Sequence, residues 1–121
     1  MVIEIPGINA EMGLELYDGD TDMYLRFLRM YVSKTPASLE KLRNVSAETL
    51  HDYAVCVHGV KSISLTIGAA EVSNEAKKLE AMSKDGDLAG VQAQNNALIK
   101  NVENLVANIR SWLEKHDAGT A

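Results

Sequence analysis

The side chains able to do chemistry gather in one short stretch of the chain. His58 is followed by Gly59, and three residues on by Lys61 and then Ser62. The imidazole ring changes protonation between pH 5 and 8, so a neutral, nucleophilic form is at hand under ordinary conditions. On a helix, Lys61 sits one turn from His58, at a spacing where side chains meet. Gly59, Ser62, Ser64 and Gly68 are all small. The set suits an exposed nucleophile with a positive charge nearby and little bulk around it, open to a docking partner.

Other reactive side chains carry less. His51 lies seven residues before His58 and near the same side. Helical metal ligands usually stand four apart, and no acidic third ligand is evident, so a metal site is not expected. Cys56 falls on a different face and reads as a small buried apolar side chain. His116 lies in the C-terminal tail and reads as solvated. Lys77, Lys78 and Lys84 form a basic strip that reads as a solvated face, with Lys84 near the end that bears His58. No Gly-rich phosphate-cradling loop and no nucleophile elbow is present, which argues against an ATP-using kinase and against Ser/His/Asp catalysis.

The elements that must position His58 are helical. Leu88, Val91, Asn95, Leu98, Val102, Leu105, Ile109 and Trp112 alternate at spacings of three and four, the period of a helix packed along one seam. From Leu88 to Lys115 such a helix is about 42 Å long at 1.5 Å per residue, which fits a bundle. Asp87 can cap its start, and Gly86 can close the helix before it. That preceding helix spans about Ala70 to Lys84, with Val72, Ala76, Leu79 and Met82 inward.

The histidine's own helix runs from about Ala47 to Ile67. Ser46 is its N-cap, Val45 and Leu50 form a staple across it, and Gly68 ends it. Its apolar stripe is Leu50, Tyr53, Ala54, Val57, Val60 and Ser64, which puts His58 on the shoulder. Before it, Asp22 to about Arg43 forms a helix that Thr35-Pro36 kinks or restarts. Residues 1–16 add a short helix or a lid, and residues 117–121 read as a disordered tail. The expected fold is all-α: one domain over residues 1–121, an antiparallel up-down four-helix bundle with a short additional N-terminal helix or segment.

With 121 residues the chain suits a single core. Its net charge of −5, with Lys and Arg scattered, argues against a nucleic-acid partner. No apolar run is long enough to span a bilayer, and Met1-Val2-Ile3-Glu4 does not open a signal peptide. A single cysteine rules out an internal disulfide and agrees with a reducing compartment. A cytoplasmic location is expected, for a protein that is either free-standing or cut from a larger one.

The string from His58 through Lys61, Ser62 and Ser64 to Ile67-Gly68-Ala69 resembles the signature of histidine-containing phosphotransfer (HPt) domains. In that signature His, any residue, a hydrophobic residue and Lys are followed by Gly, small residues, a hydrophobic residue and Gly-Ala. The likeness continues through Ala76, Leu79-Glu80 and Asp85-Gly86-Asp87. Upstream it includes Gly19-Asp20, Tyr24 and Phe27-Leu28, so it covers about residues 12 to 115. One departure is Ser62, where the family usually has glycine.

The resemblance implies that His58 relays a phosphoryl group between the aspartates of receiver domains, that of a response regulator among them, or takes it from a histidine kinase, often a hybrid one. Lys61 would stabilise phosphoryl charge, and Ser62 would donate a hydrogen bond or crowd the partner. It further implies no cofactor of the chain's own, magnesium on the partner receiver domain, and no independent turnover. Gly59, Leu65, Ala69 and Lys84, with part of Ile8 to Leu14, are the candidate docking surface. A monomer is expected. An adaptor that binds a receiver or kinase without being phosphorylated is the alternative, as is an HPt module excised from a hybrid kinase.

Overall fold

Helix-forming periodicity produces five helices, and no strand occurs among the described residues: α1 (Ala10–Glu15), α2 (Thr21–Leu42), α3 (Leu50–Leu65), α4 (Ala70–Lys84) and α5 (Leu88–Gly119). They belong to a computed structural model that describes residues 2–119. The four longer helices pack in a ring, α2 against α3 and α5, and α4 against α3 and α5, while α1 leans on α2. Their shared core includes Tyr24, Leu28, Tyr31, Val57, Val60, Ile67, Leu98, Val102 and Ile109. Burying each Leu, Ile or Val of that set contributes about 1.5–3 kcal/mol.

Asp20 starts α2 by accepting a hydrogen bond from the Met23 amide at 3.1 Å. No restart occurs at Thr35-Pro36, and α2 continues through Pro36. The proline ring lies on the exposed side, away from the packed neighbours, so losing one amide donor costs no tertiary contact there. Thr35 Oγ1 beside it is buried without a hydrogen-bond partner.

Helix α3 begins later than its sequence indicates. Ser46 does not cap it; instead the Ser46 amide donates to the Thr49 hydroxyl at 2.8 Å, and residues 47–49 form turns. Thr49 is thereby occupied and gives no side-chain cap to α3. The inward stripe is as expected, with Tyr53, Ala54, Val57, Val60 and Ser64 buried.

The link between α3 and α4, residues 66–69, is fixed from outside. Tyr17 and Tyr24 donate their hydroxyls to the carbonyls of Thr66 (2.8 Å) and Ile67 (2.7 Å), and the Asn9 amide donates to Gly68 O at 2.9 Å. Gly68 has φ +83°, and a Cβ there would run into the Asn9 carbonyl, so both conformation and space demand glycine. Burial pushes the Tyr24 hydroxyl up to about 12, so it stays a donor over the whole ordinary pH range. The N-terminal segment is thus a brace on this link, with Ile5 in the core.

Helix α4 matches its expected limits. It passes to α5 through Gly86 at φ +76°, and Asp87 caps α5 by accepting from the Gly90 amide at 2.9 Å. At 32 residues α5 is about 48 Å long at 1.5 Å per residue. It buries Ile99, Val106 and Leu113 in addition to the predicted seam, because it faces α2 and α4 together. Trp112 is only half-buried. The tail expected from Asp117 is helical as far as Gly119, and Asp117 forms a two-pronged pair with Arg29 at 2.7 and 2.9 Å. Ala121 and the residue before it lie outside the described residues.

Candidate functional site

His58 lies two turns before the end of α3, on the shoulder between the buried stripe and solvent, with its side chain 56% exposed. Its Nδ1 is 2.8 Å from Glu80 Oε2, on the facing turn of α4. The same carboxylate takes Lys61 Nζ on Oε1 at 2.6 Å and Lys84 Nζ on Oε2 at 3.0 Å. One carboxylate therefore ties together the two residues that sequence spacing pairs, His58 and Lys61, and a third from α4.

Glu80 itself is 7% exposed. It occupies the inner side of α4, next to Leu79 and one turn after Ala76. A buried carboxylate without partners costs several kcal/mol, and the cost is met here by hydrogen bonds to charged donors. The Lys61 bond is the strongest influence on its acidity; burial opposes it, and the Lys84 and His58 bonds add to it. Together they hold the carboxyl down at about 2. Glu80 is thus ionised at any ordinary pH.

That ionisation decides the proton on His58. A carboxylate without a proton can only accept, so Nδ1 must carry hydrogen and donate it. In the neutral ring the lone pair is then on Nε2. The arrangement can hold an imidazole in one tautomer and orientation, with its other nitrogen available to an incoming group. Counting Glu80, Lys61 and Lys84, the cluster carries one net positive charge in a chain whose formal net charge is −5.

The hairpin of α3 and α4 sets this geometry. Ser73 Oγ donates to Lys61 O at 3.0 Å, locking the register one turn from the site. Ser83 Oγ turns back on its own helix, to Leu79 O at 2.6 Å, which removes its polar group from the packed side.

Of the other residues singled out by sequence, Gly59, Ser62 and Leu65 are exposed on α3 beside His58, Leu65 at 50%. Val55, one turn before His58, is 64% exposed and escaped the sequence reading. Ala69 does not join this surface. The sequence places it on the histidine's flank, yet it is fully buried, because its amide donates to Ser64 O at 3.0 Å and draws it into the link under α1. Ile8 and Leu14 are half-buried against the core.

His51 is exposed and does not join the cluster. Cys56 is half-buried rather than buried, its Sγ 3.4 Å from Ser38 O, and burial raises its thiol's pKa. His116 stacks on Trp112, with ring centroids 5.0 Å apart and planes at 8°. Among the described residues no three His, Cys, Asp or Glu side chains group as metal ligands, and no helix is long and apolar enough to cross a membrane.

Glu80 is the residue whose part in the site sequence reasoning missed. Its signal was present: an acidic residue within the apolar spacing of Val72, Ala76, Leu79 must find a cation or a donor once packed. Compared with known proteins, the chain matches no family model, no curated protein and no solved structure.

Proposed function

We propose that the chain is a histidine phosphotransfer protein, whose His58 accepts a phosphoryl group from a receiver-domain aspartate or a histidine kinase and passes it to another receiver aspartate. The observation that carries this reading is the His58 Nδ1–Glu80 bond at 2.8 Å, which leaves Nε2 of a half-exposed ring as the nucleophilic atom. The helices form an antiparallel up-down four-helix bundle with α1 added. Arg43–Glu103 and Arg29–Asp117 run in opposite order along α2 and α5, and Tyr31–Ser64 and Cys56–Ser38 do so along α2 and α3.

In the transfer, the Nε2 lone pair attacks phosphorus in line with the aspartyl oxygen. The N–P bond forms as the P–O bond breaks, and the carboxylate leaves with the electron pair. The proton stays on Nδ1. The phosphorylated ring is cationic, and ionised Glu80 faces that charge, so the chain stabilises the intermediate without moving a proton.

Lys61 and Lys84 lie within reach of the phosphoryl oxygens. A charge pair at 4 Å contributes about 1 kcal/mol in a watery setting and about 4 with partial burial, so these lysines tune the reaction. The partner's acidic pocket and its magnesium ion supply the larger share, and the chain has no turnover alone. Docking rests on Val55, Gly59, Ser62 and Leu65, an exposed and uncharged strip of α3 around His58. The cationic cluster beside it suits an acidic receiver pocket.

The test is to incubate the protein and a His58→Gln variant with receiver domains carrying labelled phosphate. Label should pass to the natural protein alone, in a bond that acid cleaves and base does not. Binding without labelling, across several receivers and kinases, would make the chain an adaptor and overturn the carrier reading.

A further inference from the structure

The two sides of His58 differ in kind. On a helix of 100° per residue, Lys61 lies about 60° to one side of His58 and Gly59 about 100° to the other. The Lys61 side meets α4 and holds the net positive cluster with Glu80 and Lys84. The Gly59 side meets α2 and opens on a groove of about 650 Å³, whose walls include Ser38, Lys41, Asp52, Val55 and Cys56.

Gly59 itself has no internal reason to be glycine. Gly13 is held to glycine by the Tyr24 ring, which a Cβ would strike, and Gly68 by its positive φ and the Asn9 carbonyl. At Gly59 the backbone is ordinary α-helix and a Cβ would meet nothing within 4 Å. A mid-helix glycine with open space around it weakens the helix relative to alanine and returns nothing to the free protein. What it supplies is bare backbone on the surface, directly beside the reactive ring.

Resting on the phosphotransfer reading, we propose that Gly59 is the point of closest approach of the docked receiver domain. The receiver's acidic, phosphoryl-bearing pocket faces the Lys61–Glu80–Lys84 side, and a loop of its main chain lies against Gly59 over the mouth of the α2–α3 groove. Charge fixes the first half of this orientation, since the cationic cluster is on one side of His58 only. The missing side chain fixes the second, because main chain can approach helix backbone closely only where no Cβ intervenes.

Gly59→Ala and Gly59→Met test it, with Ala97→Met on the exposed face of α5 as a control. Each variant is assayed for labelling by a charged receiver domain, for the affinity of that receiver without phosphate, and for melting temperature. Both Gly59 variants should melt a few degrees above the natural protein, as good helix formers replace glycine. Labelling should fall several-fold for alanine and at least tenfold for methionine, with affinity falling in parallel, and the control should be unchanged. Natural labelling rates in both Gly59 variants would overturn the orientation while leaving the carrier role of His58 intact. Lower melting together with lost labelling would assign Gly59 to the fold and overturn it equally. A natural protein that no receiver or kinase can label would remove the phosphotransfer reading, and this inference with it.

Discussion

The outer faces of α3 and α5 are built by opposite rules. Along α5 the exposed positions include Lys100, Glu103, Arg110, Glu114 and Lys115, the mixed charges of a surface meant only for water. Along α3, from Tyr53 to Leu65, the exposed positions are Val55, His58, Gly59, Ser62 and Leu65. The one lysine in that span, Lys61, is drawn sideways onto Glu80. Past Asp52 in its first turn, α3 exposes no carboxylate and no free lysine, whereas the C-terminal half of α5 carries both signs of charge. Under the proposed function, we read that uncharged face as one kept for contact.

Substitutions on the two faces should therefore differ in what they change. His58→Gln has the largest effect: phosphoryl acceptance, followed by labelling from a charged receiver, should vanish, while Lys100→Ala on α5 leaves it untouched. Next is Glu80→Ala, which frees the ring to rotate and exchange tautomers. Loss of such an orienting partner is expected to slow transfer on the order of 10- to 100-fold in single-turnover assays. It should also lower stability by about 1–3 kcal/mol in denaturant titration, because Lys61 and His58 lose a buried acceptor.

Acid sharpens the same point. The Glu80 carboxyl is held at about 2 in the folded chain, against 4.5 for an unperturbed group. A depressed pKa means the folded state is favoured by ionisation, so the contribution is whole above pH 4.5 and drains away as pH falls from there toward 2. Denaturant midpoints measured across that window should fall more steeply for the natural protein than for Glu80→Gln. Equal slopes would show that Glu80 is not held ionised by its partners in the folded chain.

Smaller effects belong to the strip itself. Leu65→Asp should weaken receiver binding about tenfold, equivalent to about 1.4 kcal/mol, with stability within about 0.5 kcal/mol of the natural protein. The least is Lys84→Gln, a few-fold loss of transfer rate, since an exposed lysine contributes at the watery end of the Coulomb range. If Leu65→Asp and an acidic substitution on α5 weakened binding alike, the contrast between the faces would be broken.

Much of this was legible in the sequence, for reasons that differ by element. Helix α4 and the start of α5 were fixed by local signals, an apolar period of 3.6 bounded by Gly86 and Asp87, and both occur as expected. The first turn of α3 was not legible, because Ser46 and Thr49 satisfy each other, a pairing that two good capping residues leave open. Pro36 reads as a kink or restart by local rule, yet α2 runs on through it because the neighbouring turns bury Tyr31, Thr35 and Leu39 while the proline ring faces solvent. Ala69 lies on the histidine's side of an extended α3, yet the chain turns at Gly68 before reaching it. The pair His58 and Lys61 could be found from spacing alone. Glu80 could not be joined to them without knowing that α3 and α4 pack face to face, which is tertiary information.

The brace on residues 66–69 has a consequence for how the molecule assembles. His58 and Glu80 are only 22 residues apart in the chain, and the link between them is the segment that Tyr17 and Tyr24 hold. Arg29 and Asp117, at the far seam of α2 and α5, are 88 apart. Closing the longer loop costs about 1.2 kcal/mol more in chain entropy, at about 0.6 for each doubling of length. The His58–Glu80 contact is therefore among the more local contacts between helices, and the α2–α5 seam among the least local. Partial opening should begin at that seam, with the terminal turns of α5, and leave the imidazole and its carboxylate in register until the rest of the chain has let go.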